Sequence, residues 1–297
     1  MHEDFGNAGK KINSGACTKA RILIMTMAQK LSVAIITSNE EANIRRTLES
    51  VVWADELIVV DSGSTDKTVS ICREYTDKVF RQDWLGFASQ KNLALDKCSG
   101  DWILSLDADE PIERALAEEI RSILSSPPSF DGYRIPRKTF FLGKQIRRGG
   151  WYPDYNLRLF KKDKGRFEER IVHEAAKVEG AIGKTQNAIL HYAYPDLASY
   201  LASINKYSSL AVEVMSKNGI SSFKTTWVNI VFRPALTFLY KYLFRLGFLD
   251  GKHGLILNLF HAWYVFAKYA KAWEYKIRVK GQGARGKGRE KGPSDVL

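Results

Sequence analysis

The sequence predicts an α/β fold, a mostly parallel sheet with helices on both faces. Three observations predict it. First, LSVAIIT (31–37), ELIVV (56–60) and WILSL (102–106) are short, nearly unbroken apolar runs rich in β-branched residues. Strands covered on both faces read this way, because neither side meets water. Second, segments with helical spacing separate them, the βαβ alternation of a parallel sheet. Third, each run ends in a polar or acidic cluster: TSNEE, DSGSTD and DADE. A buried sheet needs none of these for stability. Open α/β sheets bind ligands beyond the carboxyl ends of their strands, so the three clusters are expected to converge on one site.

The elements follow in order. Residues 1–28 lack usable periodicity and are expected to be a disordered extension, with the functional start near Met25 or Met27. ILIMTMA is too short for a membrane span or a secretory core. After the first strand, residues 43–53 place Ile44, Leu48, Val51 and Val52 on one helical face. A helix is expected over 67–75, a short strand over 78–81, and a helix over 86–98 carrying Phe87, Leu93, Ala94 and Leu95. A further helix is expected over 111–124, with Pro111 in its first turn, where a missing N–H does no harm. SSPPS is a loop, and residues 130–192 read as strand-rich. The catalytic unit is thus expected over 29–195, a helical region over 196–275 and a basic flexible tail over 276–297.

Composition narrows the function classes. The 297 residues are 45% hydrophobic and 26% charged, which excludes wholesale disorder. Cys17, Cys72 and Cys98 are too dispersed for a disulfide framework or a zinc site. The net charge of +12 invites an anionic partner. Half of it, seven basic residues against Glu290, lies in 276–291. That Gly-rich stretch is either a solvated tail or a contact for anionic lipid headgroups.

The helical region is apolar and aromatic. Its longest uncharged run, Gly254–Ala267, has 14 residues, short of the roughly 20 needed to span a bilayer. Leu255, Leu259, Trp263, Phe266, Ala270 and Trp273 share one face, with His261, Lys268, Lys271 and Tyr275 opposite. This is an amphipathic helix, either packed on the catalytic unit or a partner, or lying in a membrane interface. Gly247 and Gly251–Gly254 mark the turn before it.

The acidic clusters carry the chemistry. Asp107 and Asp109, two residues apart just past a buried strand, suit Mg²⁺ or Mn²⁺, hard cations that bind substrate phosphates. Asp61 ends the second strand and is a candidate contact for a base or ribose. Ser64 and Thr65 fit helix capping better than ligand contact, and Thr37, Asn39 and Glu40 leave the first strand in the same layer.

LSVAIITSNEEANI, ADELIVVDSGSTDKT, GFASQKNLAL and GDWILSLDADE, in this order and spacing, resemble family 2 glycosyltransferases of the Rossmann-like GT-A fold. WYPDYNLRLFKK, RFEERIVHE and GFLDGKHG resemble the branch containing lipopolysaccharide core β-glucosyltransferases. The resemblance spans about Leu31 to Tyr275. It implies that Thr37, Asn39 and Glu40 line the nucleotide, that Asp61 meets the base, and that Gln90 and Lys91 border the nucleotide. Asp107 would face the ribose and Asp109 would hold a metal on the diphosphate, with Asp107 a second metal candidate. Apart from the resemblance, Arg158 is a candidate phosphate contact, because arginine binds phosphate bidentately. Glu174 in RIVHE is the first candidate base; Asp154 and His173 are the others.

The implied reaction is inverting transfer of a sugar, glucose by the branch, from a UDP-sugar to a hydroxyl of a lipopolysaccharide core or related glycolipid. A metal would assist and a carboxylate would take the proton. Other partners follow as expectations: an anionic membrane surface, peripheral location on the inner face of a bacterial cytoplasmic membrane, and no nucleic acid. Arg147, Arg148 and Arg158 suit a phosphorylated acceptor or a solvated basic face, and Trp151 and Tyr152 suit sugar stacking or core closure. Competing readings are a polyprenyl phosphate or peptide acceptor, a non-catalytic nucleotide-binding scaffold, and a nucleic-acid-binding protein suggested by the basic tail.

Overall fold

The computed structural model describes residues 29–125, 129–168, 175–194, 196–217 and 226–287. The extension expected over 1–28 and the candidates His173 and Glu174 lie outside them.

The three apolar runs are parallel neighbours. β1 (Leu31–Thr37) lies between β2 (Glu56–Asp61) and β4 (Trp102–Asp107), with β3 (Val79–Arg81) beyond β2. Their residues alternate between two cores. Val33, Ile35, Val59 and Leu104 pack with Ile44, Leu48 and Val51 of α1 (Ile44–Val51) and Cys72 of α2 (Thr68–Arg73). Leu116 and Ile120 of α4 (Arg114–Leu124) join that core. Ala34, Ile58, Val60 and Ile103 pack on the other face with Ala88, Ala94 and Leu95 of α3 (Phe87–Lys97). Double coverage explains why these strands are continuously apolar. At the amino ends, the Glu56 carboxylate accepts hydrogen bonds from Ser32 Oγ and from Ser99 N at 2.6 Å, and pairs with Lys78 at 2.5 Å. Burial alone would raise its pKa, but the Lys78, Ser32 and Ser99 donors pull it down to about 2.

One boundary differs from expectation. Helix α4 begins at Arg114, so Pro111 precedes it. Ile112 forms a bridge with Ile189 and Leu190 N–H donates to Pro111 O at 2.9 Å, which keeps this stretch extended.

The strand-rich half completes the sheet. It supplies β5 (Gly132–Phe141), β6 (Lys144–Gln145), β7 (Asp154–Lys161), β8 (Gly165–Glu168), β9 (Ala175–Val178), β10 (Ile182–Lys184) and β11 (Ile189–Tyr194). The order is β10-β5-β7-β4-β1-β2-β3, with β6 and β11 also on β5, and β7 runs antiparallel between β4 and β5. Strands β8 and β9 pair separately.

Helix α5 (Leu197–Lys217) follows, then α6 (Arg233–Leu239) between π-helical turns Val228–Phe232 and Tyr240–Phe244. A 3₁₀ turn, Gly247–Asp250, leads into α7 (Gly251–Lys287). The first part of the expected flexible tail is therefore helical. The Glu274–Arg278 pair, 2.6 Å apart at i,i+4 spacing, carries the helix across the expected boundary. A Cβ on Gly254 would lie 2.0 Å from Gly247 O, so only glycine lets α7 start this close to the preceding turn. Among the described residues no helix is long and apolar enough to cross a membrane.

The amphipathic helix is turned opposite to simple core packing. Leu255, Leu259, Trp263 and Trp273 are exposed, whereas Leu257, Val265, Tyr269 and Ala272 are buried. Leu257, Val265 and Ala272 share the inner face with Tyr264 and Tyr269, and Lys268 covers both tyrosine rings by cation–π contacts.

Candidate active site

The carboxyl ends of β1, β2 and β4 meet as the alternation requires. Ser62 N–H donates to Thr37 O at 2.9 Å, and Ile36 stands opposite Asp107. Thr37, Ser38, Glu40, Ser62, Asp107 and Asp109 line one cleft of about 1450 Å³. A single small-molecule site takes roughly 300–1,000 Å³, so this cleft has room for two substrates.

Three expected nucleotide contacts stand behind that wall. Asp61 is buried, and its carboxylate accepts from Gly63 N and Ser64 N, each at 2.9 Å, and from Ser64 Oγ. It organises the turn, and Ser62 is the residue that reaches the cleft. Asn39 adopts the left-handed conformation asparagine tolerates, with φ of 55°. Its N–H donates to Ser64 Oγ at 2.8 Å and its Oδ1 accepts from Thr65 N at 2.9 Å, clamping two loops together. Gln90 is fully buried, and its Nε2 donates to Ser62 Oγ at 3.0 Å and Gln82 O at 3.2 Å. It supports Ser62 from below.

Behind the acidic loop lies a chain of alternating charges. Asp107 meets Lys91 Nζ at 2.9 Å through one oxygen and Arg158 at 2.6 Å through the other. Arg158 also meets Glu110 at 2.7 Å; Arg137 joins Glu110 at 3.2 Å and Asp154 at 2.7 Å. Burial would raise the Asp107 pKa, but the Arg158 and Lys91 charges overcome it and hold the carboxyl well below its usual range. Burial likewise opposes charge on Arg158, and Asp107 and Glu110 outweigh it, so its pKa is raised. Glu40 is pushed up, by burial first and by the Asp109, Asp66 and Asp107 carboxylates, against a hydrogen bond from Asn43.

These pairings revise three expectations. Asp107 has a cation on each oxygen and is poorly suited to share a metal. Arg158 is tied to two carboxylates through one terminal nitrogen, and its buried Nε has no partner among the described residues. Asp154 is held by two Arg137 nitrogens, at 2.7 and 3.1 Å, and by Asn156 at 3.1 Å, which disfavours it as a base. Asp109 differs: it lines the cleft, and its Oδ2 lies 3.3 Å from His191 Nε2. A hard carboxylate oxygen there fits a divalent cation. Among the described residues no group of three or more His, Cys, Asp or Glu could hold one.

The far end of the cleft is aromatic. Trp151, Tyr194, Tyr200, His261 and Tyr264 wall it. Arg147 and Arg148 are fixed here by their backbones, whose N–H groups donate to the buried Asp250 carboxylate at 3.1 and 2.9 Å. Trp151 stands edge-on to His261, with centroids 6.2 Å apart. Burial and the Lys241 and Lys268 charges lower the His261 pKa to about 4. Thr37 Oγ1, Trp151 Nε1, Arg158 Nε and His191 Nδ1 are buried without partners among the described residues, and all four residues line this cleft. Buried polar atoms are normally satisfied, so their concentration in one place marks a ligand site.

Residues 32–176 match the family model for glycosyl transferase family 2. The lipopolysaccharide core biosynthesis glycosyltransferase LpsC of Rhizobium meliloti is 32% identical over 252 residues, covering 82% of this chain and 92% of that protein. This chain belongs to glycosyltransferase family 2. An uncharacterized glycosyltransferase of Rickettsia typhi is 32% identical over 266 residues, or 85% of this chain and 89% of the relative. Among solved structures, the mannosyltransferase PcManGT of Pyrobaculum calidifontis, in complex with GDP-Man and Mn²⁺, is similar with a TM-score of 0.49 and 16% identity, covering 84% of this chain and 87% of that one. S. aureus TarS 1–349 gives 0.43 at 17% identity, over 84% and 91%. By its family and by its own mostly parallel sheet, the fold of this glycosyltransferase is GT-A-like, with an added helical region.

Glu110, Arg137 and His191 complete the glycosyltransferase site, and sequence reasoning gave none of them a role. Glu110 was legible as the last acid of DADE. Arg137 and His191 sit singly in strands, with no local pattern to separate them from surface residues.

Proposed function

We propose that this glycosyltransferase transfers glucose from UDP-glucose, with inversion, to a hydroxyl of a lipopolysaccharide core or related glycolipid. The observation that carries this is the two-ended cleft: strand-end polar residues around Asp109 at one end, an aromatic wall at the other. Sugars stack on aromatic faces, and the first end offers hydroxyl, amide and carboxylate groups suited to a nucleotide. The relative LpsC, named for lipopolysaccharide core biosynthesis, supports the acceptor class.

Asp109 would hold Mg²⁺ or Mn²⁺, which when bound supplies positive charge against the departing diphosphate. Lys91 and Arg158 keep Asp107 ionised and fixed at the floor. Thr37 Oγ1 and Arg158 Nε are donors available to ribose or phosphate oxygens. The base that takes the acceptor proton is Glu174, outside the described residues; Glu168 and Ala175, which flank its segment, line the cleft. The acceptor's lipid would rest against the exposed apolar faces of α6 and α7, giving peripheral attachment to the inner face of the cytoplasmic membrane.

Calorimetric titration of UDP with and without Mn²⁺ tests the nucleotide end. The wild type should bind UDP more tightly with Mn²⁺, and Asp109→Asn should lose that gain. Absence of UDP binding in both conditions would refute the donor assignment. Turnover of UDP-glucose on a lipopolysaccharide core acceptor, with the product anomer read by NMR, tests the rest.

A further inference from the structure

We propose, resting on the glycolipid acceptor assigned above, that Arg134 and Lys184 form a subsite for an oxyanion, a phosphate or carboxylate carried by the acceptor saccharide.

The sheet turns both residues to the cleft. Lys184 of β10 is the parallel register neighbour of Arg134 of β5, and Arg134 stands opposite Leu157 of β7. Arg134, Leu157 and Ile182 line the cleft. Side chains alternate along a strand, so Lys184 shares the cleft face with Ile182. Gly183, between them, takes the other face, where a Cβ would lie 2.8 Å from the Phe130 ring and 2.9 Å from the Tyr133 ring. Glu119 clamps the chain just after β10, accepting from Gln186 N and Asn187 N, each at 2.9 Å.

Two cations in register on neighbouring strands call for an anion. Such strands lie roughly 4.8 Å apart, and like charges side by side destabilise a sheet. Arg134 and Lys184 are both exposed, and neither pairs with a carboxylate among the described residues. Deeper in the same cleft, Arg137 and Arg158 are already paired with Glu110. Lys184 Nζ is held 4.8 Å over the ring of Tyr155, a cleft residue. That cation–π contact fixes the ammonium at the cleft without neutralising it. A planar arginine fork beside a lysine point charge is a combination that grips oxyanions.

Position separates this anion from the donor. In the sheet order, β7, β5 and β10 lie on one side of β4, and β1, β2 and β3 lie on the other. Thr37 and Ser62, at the nucleotide end, belong to the ends of β1 and β2. Arg134 and Lys184 stand two and three strands beyond β4 in the opposite direction, roughly 10 and 14 Å away at the backbone. The charge that meets them therefore arrives with the second substrate. A neutral acceptor would leave both cations unpaired, so the subsite selects acceptors by charge as well as by fit to the aromatic wall.

Initial rates are measured with the full chain, saturating UDP-glucose and a deacylated lipopolysaccharide core oligosaccharide in untreated, dephosphorylated and carboxyl-reduced forms. For the wild type, at least one treatment should raise the acceptor KM by about 10-fold or more, and the treatment that does so names the oxyanion. Arg134→Gln and Lys184→Gln should each raise the KM for the untreated acceptor by a similar factor and lose the response to that treatment. Their kcat and donor KM should stay within about 2-fold of wild type. Arg134→Lys should recover part of the loss. Added salt should raise the wild-type acceptor KM and barely move that of the double glutamine variant. Both side chains are exposed, so the variants should melt at the wild-type temperature. Wild-type acceptor KM in both variants, equal wild-type KM for all three forms, or variants that respond to treatment as the wild type does would each overturn the subsite while leaving the acceptor class standing. No turnover of any form by the wild type would overturn both.

Discussion

Arg158 concentrates the electrostatics of the site in one side chain. It is the shared counter-ion of Asp107 and Glu110, and Glu110 is fully buried. Removing one partner of a buried pair strands the other charges, at a cost of about 3–5 kcal/mol. Arg158→Ala should therefore lower stability by that order in urea denaturation, and Arg158→Lys should recover part of it. His261 makes a pH prediction. Its native pKa, about 4, lies below the ordinary value of 6.5. Below pH 6.5 the unfolded chain takes up a proton that the native ring refuses, so stability falls as pH drops toward 4, by roughly 3 kcal/mol at most. The urea midpoint of the wild type should fall between pH 7 and 4.5, and His261→Gln should show a shallower fall.

At the scale of elements, Asp250 ties the loop carrying Trp151 to the helical region through the backbone N–H groups of Arg147 and Arg148. Asp250→Ala leaves those donors without their acceptor, worth about 1–3 kcal/mol. It should raise the acceptor KM more than that of the donor in initial-rate assays. Gly254→Ala forces a methyl onto Gly247 O and should cost about 1–3 kcal/mol by thermal unfolding. The elements of the first half were legible because burial on both faces writes an apolar run directly into the sequence, as in LSVAIIT. The start of α4 was not, because what keeps Pro111 and Ile112 extended is contact with Ile189 and Leu190, almost eighty positions away. The site divides in the same manner. Thr37, Glu40, Asp107 and Asp109 announce themselves by position at strand ends. Whether an acid there is free or already paired depends on Lys91, Arg137 and Arg158, which only folding brings near. The apolar stripe of α7 was legible too, but its direction was not, since a second set, Leu257, Val265, Tyr269 and Ala272, took the inner face instead.

For the whole molecule, the helical region presents apolar side chains outward, including Phe244 at 77% exposure and Trp263 at 51%. So much exposed apolar surface marks an interaction face. The double variant Phe244→Ser/Trp263→Ser should bind anionic vesicles about 10-fold or more weakly in flotation assays, since each ring contributes on the order of 1.5–3 kcal/mol when buried. Its melting temperature should stay near wild type, because neither ring is in the core. The charge chain at the floor has a different consequence. Glu110 belongs to the nucleotide-facing half, yet its cations, Arg137 and Arg158, arrive with β5 and β7. A donor module cut at the loop after α4 and grafted onto another transferase would carry a buried carboxylate with no counter-ion. Chimeras meant to swap sugar specificity within the family should instead exchange everything from Leu31 through Tyr194 as one cassette.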